Sequence, residues 1–537
     1  MCGLHDPSPS QTRKVPLSPN ARRRLRDALA GAALVSSAVV SAFSAAPVVA
    51  QETGAWSQFQ GGSDHRGVLV DAPQPPYRIR WTFPAPEDEE LSGAVIVEDL
   101  AISVGERAVY AVDLLSGELA WEVPRTEGPI STPAVATGNR TTVLYLEGPG
   151  GDDATSPSAP TSPTPSSPSA SPTSSPLPSD DVDADGSVLV ALDLADQTER
   201  WRVALGAESR SGVTLDANTA YVGDEDGIVH AIALGDGQVR WTADLSEGSG
   251  VEGATGATAC DAFEGGAVDV PIGVAEDRVI VVGRNVDGGA VAVGAFSAST
   301  GDCAWRVFPQ LGSSAISAPA AAEGIVVVGS ADRFVRGLAA EDGQERWSSL
   351  ALSLFSPFSA PAFPAGTVYV ADLGGGLYRL EASDGARVWS YQFNEVVLGS
   401  PVISGDTVLL GLNDGRLVAL NATSGHLVWQ AGTGSGRLGA LALAPDAIVA
   451  EKGGRDAGLI AFEHDPEGRL VDVPSPTELD PPTTLSRIGL AAVMVVAALL
   501  VPGIFLRRRF GGTLPELQDA DNDGIQDVVD DEETEQP

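Results

Sequence analysis

The feature that most constrains the fold is one short pattern that recurs along the chain. The stretch AVYAVDLLSGELAW (residues 108–121) ends in a tryptophan, and near-copies end at six later tryptophans. Four residues before the tryptophan every copy has a glycine except the second, which has Gln197. Glycine permits the positive φ of a tight turn, and the alternating runs on either side are typical of half-buried strands. Each copy therefore predicts a hairpin whose second strand carries the tryptophan.

The spacing of these tryptophans indicates the architecture. Trp81 and Trp121 are 40 residues apart, the last four tryptophans follow at steps of 42, 42 and 40, and only two steps are longer, at 80 and 64 residues. A further strand pair precedes each hairpin, so a repeat holds four strands. A period near 40 residues with four strands is typical of β-propeller blades. We therefore predict an all-β, eight-bladed propeller of four-stranded blades.

Eight tryptophans occupy the same place in the repeat, and we expect them to pack between neighbouring blades and not to form a cofactor box. They are Trp81, Trp121, Trp201, Trp241, Trp305, Trp347, Trp389 and Trp429.

The two ends of the repeat array predict how the ring closes. Trp81 stands in YRIRWTF with no first half of a repeat before it, whereas GLIAFEHDPEG (residues 458–468) has the strand and turn without a tryptophan. We predict that the N-terminal strand completes the last blade, which would pair the open sheet edges. In the alternative, RLVDV (residues 469–473) completes that blade and Trp81 lies on an additional strand.

Two apolar runs predict the location of the chain. Arg22, Arg23, Arg24 and Arg26 precede the first run, whose VVA before Gln51 fits a signal cleavage site, so residues 1–50 are expected to be a secretory signal, with an uncleaved anchor as the alternative. Residues 488–506 contain no charge and are followed by three arginines. This predicts one transmembrane helix with the C-terminus in the cytoplasm and the propeller extracellular.

The remaining boundaries follow from composition. The propeller is predicted over residues 51–472, a Pro-rich stalk over 473–487 and an acidic cytoplasmic tail over 507–537. Residues 150–186 are rich in Ser, Thr and Pro, a composition that builds no core. They are expected to form a disordered loop in blade two, serving as an O-glycan acceptor or as a plain linker.

Net charge and cysteine content limit the possible partners of the chain and predict the redox state of its cysteines. The chain has 72 acidic and 33 basic residues and a formal net charge of -39, which argues against nucleic acid or an anionic membrane surface as a partner. Of the three cysteines, Cys2 lies ahead of the apolar run of the signal and should be removed with it. In an oxidising compartment Cys260 and Cys303 are expected to form a disulfide, with two free thiols as the alternative.

The tail contains one candidate metal site in DADNDGIQDVVDD. Its carboxylates fall at positions one, three, five, nine and twelve of a calcium-type loop, with a glycine at six. The loop resembles those of EF-hand and thrombospondin type 3 repeats, although position twelve is not glutamate. A solvated acidic tail is the alternative. The candidate ligands are Asp519, Asp521, Asp523, Asp527 and Asp530.

The repeat A-x-D-x-x-x-G-x-x-x-W resembles the tryptophan-docking repeat of pyrroloquinoline quinone (PQQ) propellers, and WSQFQGGSDHRG (residues 56–67) resembles the start of many members. The resemblance implies one of two classes. Quinoprotein dehydrogenases oxidise alcohols or sugars with PQQ and calcium, and non-enzymatic scaffolds include the propeller lipoprotein of the outer-membrane barrel-assembly machine. This chain lacks the adjacent cysteines and the haem motif of the alcohol-dehydrogenase branch, and its five histidines show no metal or triad spacing.

We therefore expect a cell-surface, membrane-anchored, monomeric propeller that acts as a non-catalytic binding or scaffold module. Its partner would be a protein, a peptide or a glycan, and neither PQQ nor any other cofactor is expected apart from calcium at the tail. The alternative is a divergent PQQ- and calcium-dependent oxidoreductase, similar to an alcohol or sugar dehydrogenase. A sensor that passes an external signal to the tail is a third hypothesis.

Overall fold

Eight of the sheets in the computed structural model are arranged as the blades of a propeller. Among the described residues no helix is long and apolar enough to cross a membrane, and the predicted span at 488–506 lies outside them, as do the predicted signal, stalk and most of the loop at 150–186. The structure describes residues 56–148, 186–246, 260, 266–285, 291–308, 317–330, 332–350, 359–434, 436–454, 456–470, 517–518 and 527–528.

The chain enters the ring through two strands that precede blade 1, with short 3-10 turns at Phe59–Gly61 and Pro86–Asp88. These strands are β1 (Val68–Leu69) and β2 (Tyr77–Pro84). Blade 1 has β3 (Val95–Val97), β4 (Leu100–Val104), β5 (Ala108–Asp113) and β6 (Leu119–Pro124). Blade 2 has β7 (Ala134–Ala136), β8 (Thr142–Glu147), β9 (Val188–Asp193) and β10 (Glu199–Ala204). Blade 3 has β11 (Thr214–Asp216), β12 (Thr219–Gly223), β13 (Ile228–Ala233) and β14 (Val239–Asp244).

Blades 4 to 6 keep this order with small departures. Blade 4 has β15 (Gly266–Ala267), β16 (Gly273–Ala275), β17 (Arg278–Asn285), β18 (Val291–Ser297) and β19 (Cys303–Val307), and both β15 and β16 pair with β17. Blade 5 has β20 (Ala320–Ala322), β21 (Ile325–Gly329), β22 (Phe334–Ala339) and β23 (Glu345–Leu350). Blade 6 has β24 (Thr367–Ala371), β25 (Gly376–Glu381) and β26 (Arg387–Gln392), and a single bridge between Ala362 and Tyr369 takes the innermost place.

Blades 7 and 8 bring the two ends of the ring together. Blade 7 has β27 (Val402–Ser404), β28 (Thr407–Gly411), β29 (Arg416–Asn421) and β30 (Leu427–Gly432), with β1 parallel to β27. Blade 8 has β31 (Arg437–Leu443), β32 (Ile448–Gly453) and β33 (Gly458–His464). Outside the ring, β34 (Leu517–Gln518) pairs with β35 (Asp527–Val528).

The ring closes through the N-terminal strand. Strand β2 pairs antiparallel with β33, with Trp81 opposite Ala461, and takes the outermost place in the sheet of blade 8. The prediction that the N-terminal strand completes the last blade is confirmed. The alternative, completion by residues 469–473, is wrong because β2 already occupies that place.

Neighbouring blades are joined by tryptophan rings that lie over turn glycines. At six junctions the indole of one blade covers the glycine of the next blade's outer hairpin, where an added Cβ would meet the ring. The indole Nε1 then donates to the carbonyl oxygen three residues before that glycine, at 2.7–3.1 Å. The glycines need their positive φ of about 70° for the turn and their bare Cα for the ring.

Two junctions depart from this contact for different reasons. At the junction of blades 1 and 2, Gln197 replaces the glycine at φ 56°, and its Nε2 donates to the carbonyl of Leu194 at 2.8 Å, the acceptor that an indole uses elsewhere. Among the described contacts Trp121 has no such bond. At the closure Trp429 instead packs edge-on against Tyr77, with ring centroids 5.0 Å apart.

Two glycines in blade 5 allow the energetic contribution of the tryptophan contact to be separated from that of backbone strain. Gly343 and Gly324 have φ of 72° and 73°, but an added Cβ would lie 2.5 Å from the buried ring of Trp305 at Gly343 and in open space at Gly324. We expect Gly324→Ala to lower the free energy of unfolding by about 1 kcal/mol through backbone strain. Gly343→Ala should cost about 2 kcal/mol more because the ring must move. Equal losses in urea denaturation would contradict this account of the junction.

The exceptional junction predicts a stabilising substitution. Gln197→Gly should raise the free energy of unfolding by about 1 kcal/mol, because it removes a side chain from the left-handed region and frees the Leu194 carbonyl for the indole of Trp121. The control is Gln197→Ala, which deletes the amide but keeps the Cβ and should give no gain. Thermal and urea denaturation of the three proteins measure both effects, and a gain from the alanine variant would refute this role of the glutamine.

Candidate functional site

The axis of the propeller is filled by the chain's own N-terminal stretch. Residues 56–67, here called the axial segment, accept one backbone N–H from the innermost part of each of blades 1 to 7, at 2.6–2.9 Å. Six of these bonds end on main-chain oxygens and one on the side-chain oxygen of Gln58. The donors are Ile96, Val135, Leu215, Val274, Ala321, Phe363 and Ile403.

The sequence of the axial segment explains how a chain can turn inside so narrow a space. Gly61 has φ 82°, and its Cα lies against the ring of Trp56, which is 2 % exposed. Gly67 has φ 64° and lies against the side chain of Gln60. Both positions have a positive φ that strains any residue with a Cβ, and an added Cβ would press on the Trp56 ring or on the Gln60 side chain. The Trp, Phe and Gly residues of positions 56–67 therefore suit a segment that turns tightly inside the ring.

The axial segment also carries the most strongly perturbed histidine. His65 is fully buried, its Nδ1–H donates to the carbonyl of Pro319 at 3.0 Å, and its Nε2 has no partner among the described residues. Loss of solvation lowers the pKa of His65 to about 4. Burial raises the pKa of the neighbouring Asp64, against the opposing charge of Arg66.

The two faces of the ring differ in their connections. One face carries the links between the second and third strands of each blade and between successive blades, and is called the loop face. These links reach 40 residues, at 148–187, and 21 residues, at 245–265. The opposite turn face carries links of two to five residues. Since binding residues concentrate on loops held by a rigid scaffold, the loop face is the candidate functional face.

The loop face opens into a cavity of about 380 Å³ above the axial segment, called the mouth cavity. Phe59 of the axial segment forms part of its lining, and the walls come from blades 1, 2, 3, 4 and 8. The polar and charged groups in the walls are Glu90, Ser92, Ser131, Thr132, Arg210, Ser211, Arg437 and Glu451.

Every ionic charge in the mouth cavity has an opposite partner. Arg437 binds Glu90 with both terminal nitrogens, one at 3.0 Å to Oε1, and lies 3.4 Å from Glu451. This contact lowers the pKa of Glu90, whereas burial raises that of Glu451. Arg210 binds Glu208 at 2.6 Å and Glu225 at 3.1 Å. The cavity is therefore polar, and both of its arginines are already paired with carboxylates.

The turn face has a second cavity of similar size below the axial segment. Its volume is about 340 Å³, and its described lining contains no charged and no aromatic side chain. It is formed by Ser57, Gln58, Gly61, Gly62, Val135, Ala136, Thr137, Leu215, Ala217 and Leu234. The axial segment thus separates two mouths of similar volume and different chemistry.

The residues singled out from the sequence lie in three separate places. The eight tryptophans lie on the outermost strands and contact neighbouring blades. Cys260 and Cys303 form a disulfide that ties the connection at 245–265 to the outermost strand of blade 4. Of the tail ligands, Asp519, Asp521, Asp523 and Asp530 lie outside the described residues, and Asp527 pairs with Gln518 through the backbone. Calcium binding there stays a prediction.

The mouth cavity itself is missing from the sequence prediction. Glu90 stands in the acidic run EDEE and is 347 positions from Arg437, so no local pattern joins them. The structure brings them together because blades 1 and 8 are neighbours at the closure. The one available signal was WSQFQGGSDHRG, whose three glycines and two large rings indicate a tightly packed turn.

Comparison with known proteins identifies the family. The family model described as outer membrane protein assembly factor BamB, a PQQ-like repeat model, matches residues 184–352 and 353–473, more than half of the chain. The chain belongs to this family. BamB-like propellers are scaffold proteins. No curated protein matches the chain.

Solved structures share the fold at low sequence identity. A europium-containing methanol dehydrogenase is 13% identical, with a TM-score of 0.56, covering 76% of this chain and 91% of its own. The computationally designed Ika8 protein is 16% identical, with a TM-score of 0.52 and coverage of 72% and 99%. BamB from Moraxella catarrhalis is 15% identical, with a TM-score of 0.49 and coverage of 72% and 100%. At these identities the likeness shows the fold alone.

The residues of the mouth cavity do not fit PQQ, the cofactor that dehydrogenase relatives imply. PQQ is a planar quinone with three carboxylates, and binding it requires cations that are free to pair with them. The two arginines here already pair with four carboxylates. Adding three further carboxylates to this partly buried wall, in which acidic groups already outnumber arginines, would be unfavourable.

The buried histidine predicts a pH dependence of stability. Because the pKa of His65 is lower in the folded than in the unfolded state, its contribution is complete above pH 6.5 and is lost as the pH falls through 4. Between pH 7 and pH 4 we expect wild type to lose about 3 kcal/mol more than His65→Gln. Comparing two proteins cancels the opposite effect of Asp64, whose pKa is raised. Parallel stability curves in urea would contradict the assignment.

Proposed function

We propose that this protein is a non-catalytic scaffold that presents its loop face to a protein or peptide partner. The observation that carries the proposal is the contrast between the two faces around an axis that is already occupied. With residues 56–67 bonded along the axis, the described part of the ring has no through-channel for a substrate. What varies along its surface is the length and charge of the loop-face connections.

Exposed apolar side chains on the loop face support binding to a macromolecule. Leu350 ends the outermost strand of blade 5, and Val396 and Leu398 lie in the connection between blades 6 and 7. All three are more than a third exposed. Apolar groups held at the surface of a rigid ring are typical anchors of a protein interface.

A comparison of the two faces tests the proposal. A photoreactive amino acid placed at Leu398 on the loop face should give cross-linked adducts of discrete mass in the producing cells. The same residue at Leu115, which is 74 % exposed on the turn face, is the matched control and should give none. Adducts of equal yield from both positions, or from Leu115 alone, would refute the choice of face.

The absence of catalysis is part of the proposal and has its own test. PQQ and calcium are titrated into the purified full-length chain while quinone absorbance, melting temperature and dye reduction with alcohols and sugars are followed. We expect no saturable change, since the arginines of the mouth cavity are already paired. A shift in melting temperature accompanied by dye reduction would establish the alternative, a PQQ-dependent oxidoreductase.

We also propose that the propeller lies outside the cell and is held by one C-terminal span. The support is in the sequence: a leader at 1–50, an uncharged apolar run at 488–506, and Arg507, Arg508 and Arg509 directly after it. Protease added to intact cells should remove the propeller and spare an epitope fused after residue 537. Digestion of that epitope in intact cells would refute this orientation.

A further inference from the structure

We propose that the mouth cavity is a binding site for a neutral carbohydrate, with Phe59 as its stacking surface. The inference rests on the proposed function in one respect, that the loop face is the binding face. It adds a ligand class and a site that the scaffold role does not require.

The lining of the cavity offers an aromatic ring in a fixed place. Phe59 is half-buried and lines the cavity. Its ring meets that of His65 edge-on, with centroids 5.2 Å apart and an interplanar angle of 89°. The axial segment is bonded to seven blades, so the backbone that carries this ring is held in place. An aromatic ring held in place can stack on the apolar C–H face of a sugar.

The ion pairs of the wall disfavour an ionic ligand. Arg437 lies between Glu90 and Glu451, and Arg210 between Glu208 and Glu225. An anion would meet carboxylates that outnumber the arginines four to two, and a cation would have to compete with an arginine for the carboxylate oxygens that it already binds. A neutral ligand can use the outer hydrogen-bonding positions of the same groups without separating them.

Hydrogen-bonding capacity remains for such a ligand. The hydroxyls of Ser92 and Ser211 are already used, since each accepts a backbone N–H from the adjacent strand. Thr132 lines the cavity, and its hydroxyl has no partner among the described contacts. Carboxylate oxygens accept and guanidinium groups donate. Sugar hydroxyls do both, so a polyhydroxylated ring matches this mixture.

The size of the mouth cavity and its comparison with the turn-face cavity also support a small-molecule site. A volume of about 380 Å³ lies within the range of roughly 300–1,000 Å³ that small-molecule sites occupy. The turn-face cavity, at about 340 Å³, lacks both the aromatic ring and the charged pairs. It therefore serves as an internal control for binding that depends on volume alone.

The experiment is a titration of the purified full-length chain with neutral monosaccharides and disaccharides of glucose, galactose, mannose, arabinose and N-acetylglucosamine. Binding is followed by calorimetry and by saturation-transfer NMR. We expect saturable binding by at least one of them. Phe59→Leu keeps an apolar side chain and should weaken that binding about tenfold through loss of stacking. Thr132→Val should weaken it about fivefold through loss of one hydrogen bond.

Two further variants distinguish sugar binding in the mouth cavity from binding in the turn-face cavity and from binding of a cation. Ser57→Ala, in the turn-face cavity, should leave the affinity unchanged. Glu451→Gln should change it less than about threefold, because an amide still accepts a sugar hydroxyl, whereas a cationic ligand would lose more than about tenfold. Melting temperatures of all variants verify that the ring is folded.

Failure of the carbohydrate-site proposal can be distinguished from failure of the proposed scaffold function. Absence of saturable sugar binding, or binding that Phe59→Leu and Thr132→Val leave unchanged in folded protein, overturns the carbohydrate site. Binding of an arginine-containing tripeptide in place of the sugars would overturn it as well, and would assign the cavity to a basic peptide. Cross-linking from Leu398 tests the choice of face independently of either result.

Discussion

The structure depends on one contact, an indole ring laid over a glycine in the next blade. The ring fills the gap between two twisted sheets, and its N–H satisfies a turn carbonyl that the hairpin leaves free. At six of the eight junctions one blade supplies the tryptophan and the next blade the glycine, so the same contact recurs around most of the ring. Strand β2, which comes early in the chain, completes the sheet of the last blade. Neither end of the repeat array is therefore left as an open sheet edge.

The axial segment adds a second set of contacts that reaches seven blades at once. Its oxygens receive N–H groups of inner strands that would otherwise face an open channel. The same segment divides the axis into a charged mouth on the loop face and an uncharged one on the turn face. This difference between the two faces is what the proposed binding role rests on.

The blade count and the ring closure could be predicted from the sequence because both follow from the regular spacing of one repeat. Trp81 without a preceding half-repeat, and residues 458–468 without a tryptophan, are complementary halves of one blade. The axial segment escaped prediction because each of its bonds joins residues far apart in the chain, as from Gln58 to Leu215. The Glu90–Arg437 pair escaped for the same reason. Gln197 was visible as an exception to the repeat, but its use of the Leu194 carbonyl needed coordinates.

Residues 56–67 form a structural plug that is hydrogen-bonded to seven of the eight blades. Hydrogen exchange of the amides of Ile96, Val135, Val274, Ala321 and Ile403 tests it most directly, because in each case the acceptor is an oxygen of this segment. The account predicts that all five exchange together and only through global unfolding of the propeller. Rapid exchange at these amides, while the second strands of the same blades stay protected, would mean that the segment leaves the axis and would contradict the account.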